Sequence, residues 1–467
     1  MYIQQLYTTC LAEAAYYIES NGEAAIIDPL RETEPYMDLA KARNAKIKYV
    51  FETHFHADFV SGHIDLARKT NSTIVYGPKA KPDYDAYIAK DNEKFTLGDL
   101  TIKVLHTPGH TPESASYLLL DQDNKEYAVF TGDTLFVGDV GRPDLAVKSD
   151  LTQYDLAGML YDSLNNKIKT LADETIVYPA HGAGSACGKN IGKETFSTIG
   201  HQKKFNYALQ EMSKQEFIKA VTEGLSAPPK YFFHDAAINQ KGYQSIDEVM
   251  EKNTNELTVE DFEKAMKIQN VQVLDTRNPE EFELGFIPGS INIGLNGQYG
   301  PWVGALLDPK NPLLLIASKG KEQEAVLRLA RVGYENVSGY LKDGMQAWTG
   351  AGKKTDTVES FEAEEFVKKA KAGEAVLDVR KPGEHASGVI PGAQLIDLSV
   401  LNENLDKLDK QKHYFVHCAG GYRSMIAVSL LKKMGYENLT NVLGGMAKIK
   451  ELGTKLALPE GNPMRSL

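Results

Sequence analysis

Thr53-His54-Phe55-His56-Ala57-Asp58-Phe59 is the stretch on which the first half of this 467-residue chain turns. Lys48-Tyr49-Val50-Phe51, just before it, reads as a short apolar strand, and the polar burst that follows reads as a loop at the strand's C-terminal end. Two histidines and an aspartate at one strand end are what a metal ion needs. H-x-H-x-D alone is a weak signal. Followed by Gly109-His110-Thr111-Pro112 and then by Thr131-Gly132-Asp133, it is a much rarer combination.

Outward from that motif, the apolar runs 13–19 and 24–28 flank Asn21-Gly22, a strong hairpin signal. Helical periodicity covers residues 34–44, and a helix is expected from Gly62 to Lys69. Strands are expected at Thr73 to Tyr76, Leu100 to Leu105, Ser116 to Leu120, Tyr127 to Phe130 and Thr175 to Tyr178, the last delivering Pro179-Ala180-His181-Gly182. Residues 153–171, 202–214, 215–223 and 246–252 read as helical. His54, His56, Asp58, His110, Asp133 and His181 thus all fall at strand ends, where loop chemistry on a two-sheet scaffold is expected. His63, His106 and His201 read as structural.

Beyond residue 250 the chain repeats itself. Leu274-Asp275-Thr276-Arg277 recurs as Leu377-Asp378-Val379-Arg380, and Ile287-Pro288-Gly289 recurs at the same offset as Ile390-Pro391-Gly392. Gly333-Tyr334-Glu335-Asn336 returns as Gly435-Tyr436-Glu437-Asn438. This is a tandem duplication of roughly 100-residue units that alternate strand and helix, which implies parallel sheets with helices on both faces. The expected domains are 1–250, 251–355 and 356–467.

Only the second copy carries a cysteine loop: Cys418-Ala419-Gly420-Gly421-Tyr422-Arg423-Ser424, between an apolar strand and a helix. Its glycines let backbone N–H groups of the loop point inward, the helix N-terminus adds partial positive charge, and Arg423 adds a full one. Such a nest activates a thiol and cradles an anion. Cys418 and Arg423 are therefore the catalytic candidates, with Gly420, Gly421 and Ser424 around the bound sulfur. In the first copy the expected counterpart is Ser318, in a loop about two residues shorter. That copy is expected to be dead for sulfur transfer.

The net charge of −11, without a basic run, argues against nucleic acid or an anionic membrane as partner. Three cysteines in a chain this long are no disulfide framework, so a reducing compartment is expected. The N-terminus shows no secretory pattern and no stretch reaches the length of a membrane span. The expectation is a soluble cytoplasmic protein.

The three motifs of the first part resemble the metallo-β-lactamase superfamily over residues 1 to about 245, and the repeats resemble rhodanese domains. The implied fold class is α/β, an αββα sandwich followed by two rhodanese-like α/β domains with parallel sheets. Two-zinc hydrolases of that superfamily carry a histidine directly after the aspartate of H-x-H-x-D. Here it is Phe59, which cannot ligate, so a mononuclear centre is the better reading. Resemblance to the persulfide dioxygenases implies one Fe(II) held by His54, His110 and Asp133, with His56, Asp58 and His181 as outer groups that orient ligands or hold water. Arg142 either pairs with an anionic substrate group or braces its loop, and Tyr178 either offers its hydroxyl to the site or is an ordinary strand aromatic. Glu113 stands where many relatives have glycine. Cys187 reads first as a small loop residue, and Cys10 as structural.

In domain order the chain resembles the CstB-type multidomain persulfide dioxygenase–sulfurtransferases of bacterial sulfide detoxification. The resemblance implies a small-thiol persulfide, O₂, sulfite and thiosulfate as partners, and a homo-oligomer. Two readings compete with it. One is a zinc glyoxalase-II-like thioester hydrolase fused to a sulfur-carrier rhodanese. The other is a pure sulfur carrier whose N-terminal domain only binds thiols.

Overall fold

The computed structural model describes residues 1–147, 151–225 and 227–459. The chain divides into two compact units. One holds Met1–Val249 with Leu329–Tyr334, and the other holds the rest.

The first unit is an αββα sandwich. One six-stranded sheet runs, from edge to edge, Tyr2–Thr8, Glu13–Ser20, Glu23–Ile27, Lys46–Glu52, Thr73–Tyr76 and Tyr87–Ile88. The other runs Ser197–Thr198, Ile176–Pro179, Glu126–Gly132, Ala115–Leu120, Leu100–His106 and Lys94–Leu97. Asn21 and Gly22 both adopt positive φ, 49° and 76°, the two-residue turn that matches strand twist. Strand alternation then sorts side chains into layers. Tyr16 and Ile18 point into the core between the sheets with Phe51, Val75, Tyr117 and Phe130. Tyr17, Ile26 and Val50 face outward to meet Tyr36, Ala40 and Leu66 of the helices Glu34–Ala42 and His63–Thr70. On the opposite side Leu118, Val129 and Val177 meet Leu160, Leu164 and Ile168. Each fully buried Phe or Leu here contributes about 1.5–3 kcal/mol relative to exposure.

Two helix expectations change. The expected helix over 202–214 breaks at Asn206, whose side chain accepts from the Ala208 N–H and donates to the carbonyls of Phe136 and Asp139. The pieces are Ile199–Phe205, the short 3₁₀ turn Tyr207–Leu209 and, after a capping box at Ser213, Lys214–Thr222. The helix expected over 153–171 holds as an α-helix for Gln153–Ser163 and widens to a π turn for Leu164–Ile168.

The second unit carries two five-stranded parallel sheets of identical order. The first is Glu256–Leu257, Val337–Leu341, Leu313–Ile316, Gln272–Asp275, Ile291–Asn292. The second is Glu359–Phe361, Leu439–Val442, Tyr414–His417, Val376–Asp378, Gln394–Leu395. Register aligns the copies residue by residue. Asp275 pairs with Ile316 and Asp378 pairs with His417, so the counterpart of Cys418 is Ala317, not Ser318. Counted from Ala317, the stretch to the Gly-Tyr-Glu-Asn anchor is one residue shorter than in the second copy, not two. Among the described residues no helix is long and apolar enough to cross a membrane.

Candidate metal centre and cysteine loop

The strand Lys46–Glu52 ends in the loop that presents His54, the loop after Leu100–His106 presents His110, and Asp133 follows the strand Glu126–Gly132. All three are buried, and one ligand atom from each lies within 4.8 Å of the others. Asp133 Oδ2 stands 3.3 Å from His110 Nε2 and 3.9 Å from His54 Nε2. Two ligands each about 2.1 Å from one ion are separated by about 3.0–3.4 Å, so the spacing suits a shared cation with slight closure.

Tautomers decide whether those nitrogens can ligate. His110 Nδ1 lies 2.9 Å from the Arg142 carbonyl, which can only accept, so the proton is on Nδ1 and the Nε2 lone pair is free. His54 Nδ1 lies 3.0 Å from Thr53 Oγ1, which itself donates to Asp28 Oδ2 at 2.8 Å. The hydroxyl therefore accepts from Nδ1, and His54 Nε2 is free too. Burial first, then the neighbouring His56, holds His54 well below the usual imidazole range, in the neutral form a metal requires.

Asp133 Oδ1 takes a 2.8 Å contact from His181 Nδ1, while Oδ2 is buried with no hydrogen-bond partner among the described residues. Burial works against its charge, yet His181, His110 and His54 hold the carboxyl far below the usual range. A buried, bare carboxylate oxygen facing two imidazole lone pairs is costly without a cation. The donor set therefore fits a metal ion.

The outer residues fall into two groups. His181 Nε2 lies 2.8 Å from Asp58 Oδ2, and the Cys187 thiol joins that pair. Burial opposes a charge on His181, but Asp133 and Asp58 on either side push it well above the usual range. Burial pushes the Cys187 thiol up, and Asp58 and Asp133 add to the effect. His56 instead turns to Asp28 Oδ1 at 3.0 Å, with Glu52 Oε2 at 3.8 Å. Phe59 is fully buried with its ring 4.4 Å from that of His56.

Arg142 and Tyr178, the two substrate-binding candidates of the first unit, both have partners within the protein. The Arg142 guanidinium closes on Asp144 through Nε and Nη2, both at 2.7 Å, so the fork braces its own loop. The Tyr178 ring, partly buried, stacks on Phe130 at 5.3 Å and 18° and packs on Tyr16, against the core between the sheets. Glu113 Oε1 accepts the Phe55 N–H at 3.3 Å. Asn239 carries a role that no motif announced. Its Nδ2 donates to the carbonyls of His56 and Phe59, and its Oδ1 accepts the Ser61 N–H, which clamps the metal-motif loop. Glu13, fully buried and bridged across to His181 through the backbone, was equally invisible as one acid in an apolar strand.

In the second unit Cys418 follows the strand Tyr414–His417 and is buried. The Gly421 N–H donates to its Sγ at 3.1 Å, and Ser424 Oγ lies 3.7 Å away. Gly421 has φ 106°, a left-handed backbone that aims that N–H at the sulfur and opens the helix Tyr422–Lys433. Gly420 has open space where a Cβ would stand. Arg423 forks onto Glu384 at 2.5 and 2.7 Å; burial opposes its charge, but Glu384 and Cys418 hold it firmly protonated. Behind the loop Arg380 grips Asp378 with Nε and Nη2, and Asp378 lies 3.7 Å from His417 Nε2.

A family model described as the metallo-beta-lactamase superfamily matches residues 8–181, and one described as the rhodanese-like domain matches 258–351 and 362–452. A probable hydroxyacylglutathione hydrolase of Schizosaccharomyces pombe is 36% identical over 39% of this chain and 75% of its own. The mitochondrial persulfide dioxygenase ETHE1 of Homo sapiens is 30% identical over 42% of this chain and 70% of its own. Of other hydroxyacylglutathione hydrolases the chain spans 51–65% of the length. The crystal structure of a metallo-beta-lactamase from Staphylococcus aureus subsp. aureus COL superposes with a TM-score of 0.64 and 32% identity, over 73% of this chain and 98% of that one. With the sandwich, its ligand loops and these likenesses in agreement, the chain belongs to the metallo-β-lactamase superfamily, its sandwich followed by two rhodanese-like domains.

Proposed function

We propose that the chain is a persulfide dioxygenase coupled to a sulfurtransferase. The observation that carries the first half is Phe59. An aromatic ring buried against His56 fills the position where a two-metal hydrolase needs an imidazole, which leaves His54, His110 and Asp133 as a three-ligand set. Two histidines and a carboxylate with open positions suit mononuclear iron(II), which would supply O₂ binding and electron transfer from a thiol persulfide to O₂. In the balanced reaction the persulfide, O₂ and water give thiol, sulfite and two protons; the outer sulfur loses four electrons and O₂ takes them.

The chain's own residues set up that chemistry. The Arg142 carbonyl and the Thr53–Asp28 pair orient the two imidazoles, and His181 holds Asp133 through Nδ1 so that Oδ2 stays free. Asn239 keeps the motif loop in register. In the second half, the Gly421 N–H donates to the Cys418 sulfur and Arg423 adds a cation to the same loop, which suits a cysteine that accepts a sulfur atom. Sulfite attacks the outer sulfur of a Cys418 persulfide, forms thiosulfate and leaves the Cys418 thiolate. Ala317, at the equivalent strand end of the first repeat, has no sulfur to offer.

A second reading is a zinc thioester hydrolase, favoured by the 36% identity to the yeast hydrolase. Oxygen uptake separates the two. Iron-loaded protein given a small-thiol persulfide is expected to consume O₂ both as wild type and as Cys418→Ser, with thiosulfate formed by the first and sulfite accumulating in the second. A full iron site that consumes no O₂ with several thiol persulfides, while zinc-loaded protein cleaves a glutathione thioester, overturns the dioxygenase reading.

A further inference from the structure

The first repeat lacks the cysteine, yet it touches the loop that carries it. The helix Tyr422–Lys433, whose N-terminus forms the Cys418 nest, lies along the first repeat's strand Ile291–Asn292. The Asn292 N–H donates to Ser429 Oγ at 3.0 Å. The Tyr422 hydroxyl donates to the Gly294 carbonyl at 2.7 Å. Gly297 is the seat of the tyrosine ring: a Cβ there would stand 2.3 Å from Cζ of Tyr422, so only glycine lets the ring lie where it does.

The loop is anchored at its start, where the Met446 and Ala447 N–H groups donate to the Cys418 and Ala419 carbonyls at 2.8 and 3.0 Å. A Cβ at Gly420 would meet nothing within 4 Å and one at Gly421 only the Gly444 nitrogen at 3.7 Å, while the Gly421 carbonyl accepts from Ser424 Oγ at 2.9 Å. Without side chains the glycine pair is the most permissive part of the backbone here, and rotation there would swing the Gly421 N–H off the sulfur. The first helical residues that follow are held from two sides, Tyr422 by the first repeat and Arg423 by Glu384 of the second.

We propose that the first repeat is the positioning element of the Cys418 loop, acting through Tyr422 on Gly294 and Gly297. Tyr422 is a positioning residue, and the inactive repeat sets the reactivity of a thiol it does not contain. The inference rests on the sulfurtransferase reading of Cys418.

The test places the lesion in the inactive repeat. Gly297→Ala and Tyr422→Phe are compared with wild type in the full chain. The readouts are the pH profile of Cys418 alkylation by iodoacetamide, and kcat and KM for sulfur transfer from thiosulfate to cyanide. The Cys187→Ala, Cys10→Ala background isolates the Cys418 signal, and Cys418→Ser is the control. Gly297→Ala is expected to move the alkylation midpoint upward and lower kcat about tenfold, with a smaller change in KM, and Tyr422→Phe about threefold. Alkylation profiles and kcat within twofold of wild type in both variants overturn the proposal; if Gly297→Ala does not fold, Tyr422→Phe decides alone. Transfer that persists in Cys418→Ser sinks the sulfurtransferase reading instead, a result separate from the positioning claim.

Discussion

The two rhodanese-like repeats share a clamp and differ at a strand end. In the first, Arg277 reaches Asp275 with Nε at 2.9 Å and Nη2 at 2.6 Å and the Gly285 carbonyl at 2.9 Å. In the second, Arg380 makes the same contacts to Asp378 and Gly388 at the same distances. The first strand end then offers Ala317, and the second offers Cys418 inside a glycine loop with Arg423. The clamp belongs to the scaffold, because it survives where the sulfur has gone. Of the two strand ends, the second alone offers a thiol.

The largest effect tests that separation directly. Cys418→Ala is expected to remove sulfur transfer from thiosulfate to cyanide by about 10³-fold or more, since no other thiol stands in the loop and a hydroxyl cannot form a persulfide. Ala317→Cys in the same background is expected to restore less than about 1% of it, because a thiol alone lacks the nest and the guanidinium. Transfer by Ala317→Cys within tenfold of the native repeat would break the comparison.

Next come the clamps. Asp275→Ala and Asp378→Ala each strand a buried guanidinium, and each is expected to cost about 3–5 kcal/mol in chemical denaturation. If only the second were costly, the first repeat would not be a scaffold of equal standing. A smaller effect sharpens the chemical side. Arg423→Lys keeps the charge but loses the bidentate grip on Glu384, and kcat is expected to fall about tenfold while overall stability moves little.

The smallest effect is a difference in sign. Burial raises the carboxyl pKa of both aspartates, but at Asp378 the Arg380 fork and His417 outweigh it and the result lies below the ordinary value. At Asp275 burial prevails over Arg277, and the result lies above it. A depressed carboxyl contributes stability that is present above the unfolded pKa near 3.9 and lost as pH falls through the folded one. A raised one contributes stability that is present below the unfolded pKa and lost as pH rises through the folded one. The destabilisation by Asp378→Asn should therefore shrink on acidification from pH 6 toward pH 3, and that by Asp275→Asn should grow. Urea midpoints measured along that range would show parallel slopes if the two clamps are electrostatically alike.

Much of this fold was legible in residues. Asn21-Gly22 announced its turn, because few residue pairs accept two successive positive φ angles. The D-x-R repeats announced the duplication, and the motif histidines announced the ligand loops. What was not legible depended on count and orientation. Ser318 seemed the counterpart of Cys418 because both follow apolar strands, and only the pairing of Asp275 with Ile316 shifts the match to Ala317. Arg142 carries a fork in any reading, but whether it meets a substrate or Asp144 depends on how its loop folds back. The helix pattern over 202–214 was true to periodicity, and a single asparagine with partners far along the chain broke it.

The sequence by itself determined the kinds of chemistry available: histidines and aspartates at strand ends, a phenylalanine where a histidine would stand, and one cysteine in a nest of glycines. Those follow from side-chain identity and local spacing, which the chain carries whatever its fold. Only the tertiary structure decided which atoms converge. It turned His54 and His110 to present Nε2 by occupying Nδ1, placed Asn239 on the motif loop from about 180 residues away, and brought Gly297 under Tyr422. Contacts between distant segments have no local signature, because they are selected by packing and by satisfaction of buried polar groups over the whole unit.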